Sequence, residues 1–155
     1  MDARRNEREE NLASWAEECQ ANAARLADML GVPAADYRAD PLAALPAWEN
    51  YVSRLPLADF EESDRVTLHT DLVSFLADFM VRAKGAHWEA TPDASAPGGH
   101  RYVLTAMGLD GRVRHCDPFA VVQQVSRELP LDPTRVLAAA ELALGLSRPE
   151  RDTAH

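Results

Sequence analysis

The chain has 155 residues, 46% of them apolar and 26% charged, with a net charge of −9 at pH 7. That length fits one domain large enough to bury a core, and the composition is that of an ordinary globular protein. The acidic balance argues against general nucleic-acid binding, which needs cationic surface to release counterions from phosphates.

The charge is unevenly placed. Residues 1–65 carry 14 acidic and 7 basic groups, residues 66–155 carry 11 and 9. An acidic half suits a basic partner or plain solubility. The opening MDARRNEREENL lacks the apolar centre of a signal peptide, and no later run approaches a membrane span. A cytoplasmic protein with no membrane contact is therefore expected. Cys19 and Cys116 are too few for a disulfide scaffold or a zinc ribbon. Every basic residue but Lys84 is arginine, which suits a GC-rich bacterial genome.

A first helix is expected over about 7–30, where Leu12, Ala16, Cys19, Ala23, Leu26 and Leu30 form a heptad-like seam beside Trp15. Gly31 and Pro33 stop it. The seam is too short for a typical coiled coil, so packing within the domain is the first reading and a homodimer through residues 12–30 the second. Residues 32–39 read as a linker. Asp40-Pro41 supplies an N-cap oxygen and a first-turn proline. Leu42, Leu45, Trp48, Val52 and Leu55 follow at helical spacing, with Pro46 dividing them into two short helices. Asp59 with Glu62 resembles a capping box leading into the next element.

That element, Val66 to Lys84, is the expected central helix. Leu68, Leu72, Phe75, Leu76, Phe79 and Met80 form a wide apolar arc, and Thr70, Asp71, Ser74, Asp78 and Arg82 form the polar side. Asp78 and Arg82 should pair on the surface, contributing a few tenths of a kcal/mol. His69 sits inside the apolar arc, either as a satisfied core-edge histidine or as a pocket imidazole titrating near neutrality. Gly85 closes the helix.

Beyond it the period changes. His87 to Ala90 reads as a short strand, and residues 91–100 as a Pro/Gly-rich loop. Gly98-Gly99 is no phosphate cradle, because a strand and not a helix follows. Arg101 to Met107 is a strand, and Asp110-Gly111 signals a two-residue hairpin turn. That register pairs Met107 with Arg114 and Thr105 with Cys116. It turns Tyr102, Leu104, Ala106, Val113 and His115 towards the helices, and Thr105, Met107, Arg112 and Arg114 towards a mixed outer face. Asp117-Pro118 and Asp132-Pro133 repeat the helix-start device, ahead of Phe119, Val122, Val125 and Leu129 and of Val136, Leu137, Ala140 and Leu144. Residues 147–155 form a polar tail.

The expected fold is α+β: about five helices on one face of a small, roughly three-stranded antiparallel sheet, as a single domain over 1–146. Within it, residues 40–84 are helical, 86–116 form the sheet and 118–145 the last helices. No nucleophile elbow, P-loop, dinucleotide fingerprint or zincin helix is present. His115-Cys116-Asp117 places three metal-capable residues together, but strand neighbours point to opposite faces and Asp117 serves as a cap. No metal and no cofactor are expected. Two functional readings follow. The first is a non-catalytic accessory, regulatory or immunity-type module that binds a protein through Thr105, Met107, Arg112 and Arg114. The second is a small hydrolase or transferase using His69 and His115 in one pocket, with Tyr102 as a nearby proton donor.

Pro41-Leu42-x-x-Leu45 with Trp48, followed by a long helix ending Val81-Arg82-x-x-Gly85-x-x-Trp88 and then a hairpin and a helix, resembles small uncharacterised actinobacterial domain families. The resemblance covers residues 40–125. It departs from the Gly-rich helix face of those families, since Leu72, Phe75 and Phe79 stand here. It implies a small α+β domain and carries over no functional residue.

Overall fold

Local capping signals set most of the boundaries. The computed structural model describes residues 2–96, 99–127 and 131–146; Gly98, Leu129 and the tail 147–155 lie outside them. Asp40 accepts from the Leu42 N–H at 3.0 Å, Asp117 from Phe119 at 3.0 Å, and Asp132 from Thr134 at 2.9 Å. All three Asp-Pro pairs thus open helical segments: a 3₁₀ turn over Pro41–Ala44, and the helices Pro118–Ser126 (α5) and Pro133–Ala143 (α6).

The remaining helices are Asp2–Met29 (α1), Ala34–Ala39 (α2), Leu45–Ser53 (α3) and Glu62–Lys84 (α4), with strands His87–Pro92 (β1), His100–Met107 (β2) and Val113–Cys116 (β3). Among the described residues, six helices pack with one antiparallel sheet of order β1-β2-β3, an α+β fold. β1 runs two residues further and β2 starts one residue earlier than expected, and three helices differ from expectation. α1 starts at Asp2 and not near residue 7. Residues 34–39 form a helix and not a linker. α4 starts at Glu62, where the Asp64 carboxylate accepts from the Glu61 N–H at 3.1 Å, so the capping pair lies two residues beyond Asp59 and Glu62. Gly85, at φ +72°, ends α4 as expected.

α4 is enclosed more completely than its amphipathic pattern suggests: every residue from Leu72 to Met80 is buried. α1 covers the polar stripe and supplies partners for it. Asn22 donates to Ser74 Oγ at 2.9 Å and to Asp71 at 3.3 Å. Of the expected seam, Cys19 and Ala23 are buried in the core that includes α4, and Leu12, Ala16, Leu26 and Leu30 pack against it partly buried; Ala27, outside that seam, is buried as well.

The hairpin register is shifted by one residue from the expected one. Met107 pairs with Val113, Ala106 with Arg114, Thr105 with His115 and Leu104 with Cys116. The turn is longer: Gly111 donates to Gly108 O at 3.0 Å, and Gly108 to Arg112 O at 2.8 Å, leaving three residues between the hydrogen-bonded Gly108 and Arg112. Gly111 takes the left-handed position, φ +79°, that a three-residue turn requires. Cross-strand partners share a face, so the shift carries Val113 and His115 to the outer side. Cys116 takes their place beside Leu104 in the core. A Cβ on Gly111 would meet nothing within 4 Å. Gly111→Ala should therefore cost only the left-handed strain, about 1–2 kcal/mol. A lowered urea midpoint with unchanged slope checks this.

Candidate functional site

The residues singled out by the sequence do not converge. Tyr102 stacks on Trp15 with ring centroids 5.1 Å apart. His69, half-buried, lines a cleft with residues of α5. His115 projects from the outer sheet face, where its Nε2 donates to Glu89 Oε2 at 3.2 Å. A pocket shared by His69 and His115 is therefore not formed, and the register shift is the reason. The two cysteines are poor nucleophiles. Burial, chiefly, pushes each thiol up to about 11; neighbouring Glu18 adds to this at Cys19 and Asp117 at Cys116, while a hydrogen bond with Ser74 opposes it at Cys19. Among the described residues no group of three His, Cys, Asp or Glu is placed to hold a metal ion.

The four residues expected to form a binding face are divided. Thr105 and Met107 lie on the outer side. Arg112 sits in the turn, and Arg114 pairs across from Ala106 on the helix side. Arg114 Nη2 donates to Asp110 at 2.6 Å, and its side chain passes so close to Gly145 that a Cβ there would lie 2.7 Å from Arg114 Nε. The expected local positive spot is thus largely neutralised. Leu109 also donates to Gly145 O at 2.8 Å, so the hairpin end is moored to the C-terminus of α6.

The outer face holds an arrangement outside the sequence-based expectations. His87 and His115 stand on either side of Thr105 in one cross-strand row. Glu89, two residues along β1 from His87, accepts from both rings, at 3.4 Å from His87 Nε2 and 3.2 Å from His115 Nε2. Slight burial pushes this carboxylate up, but the hydrogen bonds from His87 and His115 outweigh it and hold the group below its ordinary range. Val103 and Thr105 lie beneath on the central strand, 3% and 2% exposed, flanked by these side chains. The alternation His87-x-Glu89 was the available signal, since alternate residues of a strand share a face. Its completion by His115 depends on the register.

Beside this row the face is apolar and open. Met107 is 65% exposed and its cross-strand partner Val113 58%, with Leu109 of the turn at 63%. No family model, curated protein or solved structure matches the chain, so function rests on this geometry. No described helix is long and apolar enough to cross a membrane.

Proposed function

We propose that this chain is a non-catalytic, cytoplasmic protein-binding module whose docking surface is the outer face of the sheet. The supporting observation is the patch of Met107, Leu109 and Val113, three large apolar side chains left in water at the moored end of the hairpin. Helices occupy the opposite face, and among the described residues no element packs on this patch, which leaves its side chains exposed to a partner. Burial of each side chain would contribute about 1.5–3 kcal/mol of transfer free energy. The His87–Glu89–His115 row gives the patch a polar rim, the usual composition of a docking surface.

Met107→Asp combined with Val113→Asp should weaken partner binding by about 100-fold or more, because two charges would be buried unpaired. Both positions are exposed, so the melting temperature should stay close to that of the parent. Leu142→Asp on α6 is the control, being exposed beside α5. A photo-crosslinker placed at Val113 should trap one discrete species that the same group at position 142 does not. Equal trapping from both positions would refute the surface.

A further inference from the structure

His69 was the odd residue of the central helix, and docking on the sheet makes no use of it. It lines a cleft of about 510 Å³ bounded by α4, α5, the Leu57–Ala58 turn and Leu131. The walls are apolar where Leu57, Leu68 and Leu131 face the space. Two arginines, Arg65 and Arg127, also line it, together with Gln123, and among the described residues no carboxylate does. In a chain of net charge −9 this is a concavity of the opposite sign. The 440 Å³ cleft between α1 and α4 is different in kind, since Glu18 and Asp71 line it together with Arg25.

We infer that the His69 cleft binds a small organic carboxylate with an apolar body, the carboxylate held by Arg65 and Arg127 and the body lying on Leu57, Leu68 and Leu131. Guanidiniums match a carboxylate geometrically, and two of them can take its two oxygens. The cavity volume lies in the range of small-molecule sites, which combine apolar walls with a few polar anchors. The apolar walls disfavour a doubly charged phosphate, whose removal from water costs more. Burial first, and the charge of Arg65 second, lower the affinity of His69 for a proton. A neutral ring offers one N–H donor to the ligand and leaves the charge to the arginines.

The test titrates the full chain with sodium octanoate, octanamide and inorganic phosphate while following the imidazole C–H signals, with His69→Gln assigning the His69 resonance. Octanoate should shift His69 saturably, with a Kd on the order of 1 mM or tighter, and leave His87 and His115 in place. Arg65→Gln with Arg127→Gln should weaken it about tenfold or more. Both arginines are exposed, so the double variant keeps the fold, and its circular dichroism verifies that. Equal binding of octanamide would show that the charge is not read and would overturn the inference. So would saturable displacement of octanoate by phosphate, undiminished octanoate binding in the folded double variant, or no saturable shift at His69.

Discussion

Arg82→Met should destabilise the protein by about 3–5 kcal/mol, an order of magnitude more than a surface i,i+4 pair would lose. The spacing of Asp78 and Arg82 was visible in the sequence, but their environment was not. The Asp78 side chain is 2% exposed, and Arg82 chelates it, Nε to Oδ1 at 3.0 Å and Nη2 to Oδ2 at 2.9 Å. Tyr37, buried on α2, donates its hydroxyl to the same carboxylate at 2.5 Å. The guanidinium then spans outward to the carbonyls of Arg38 at 2.9 Å and Tyr37 at 3.1 Å, and stands 4.8 Å from the centre of the Tyr37 ring. One side chain therefore satisfies the buried charge and ties α2 to α4. Methionine would fill much of the space but leave the carboxylate with the tyrosine alone. A fall in melting temperature of roughly 10 °C or more is the readout. Adding Asp78→Leu to Arg82→Met should recover part of the loss, because an apolar pair leaves no charge stranded. A loss below about 1 kcal/mol for the single variant would mean that the pair is no stronger than an exposed one.

The network also explains why α2 escaped the sequence. Six residues are too few for a helix to persist by itself; this one is held by Tyr37, whose partners lie on α4. What was legible was local: the three aspartate caps, the glycine that ends α4, and the apolar arc of α4 itself. The hairpin register was not, although its turn was located correctly. Asp110-Gly111 serves a two-residue or a three-residue turn alike, and the longer turn places Leu109 where it donates to Gly145 O beyond α6. That one residue of turn length sends His115 and Val113 outward, removes the shared histidine pocket and creates the apolar patch. The cleft was half legible. His69 and Arg65 are one helical turn apart on α4, but Arg127 reaches them only because α5 packs beside that helix.

Trp48→Ala should cost about 3–5 kcal/mol and reach the cleft as well. Trp48 is 1% exposed and stacks on Phe75 of α4 with centroids 5.7 Å apart and planes 21° from parallel. Its ring also meets Tyr51 edge-on at 6.0 Å. Truncation leaves a void between α3 and α4 that well-packed neighbours fill only in part. Trp48→Phe is the informative companion. The indole Nε1 of Trp48 has no hydrogen-bond partner in the described structure, so a phenyl ring gives up no bond. Its cost should be about 1–2 kcal/mol, set by lost volume alone. The chain leaving α3 runs through Pro56 into the Leu57–Asp59 turn before α4 begins. Leu57 and Ala58 form one wall of the His69 cleft. Loosening α3 against α4 should therefore lower the melting temperature and weaken octanoate at His69 together, whereas Trp48→Phe should nearly preserve both. If Trp48→Ala destabilises the fold while octanoate binding remains at full strength below the melting transition, that wall takes no part in holding the ligand.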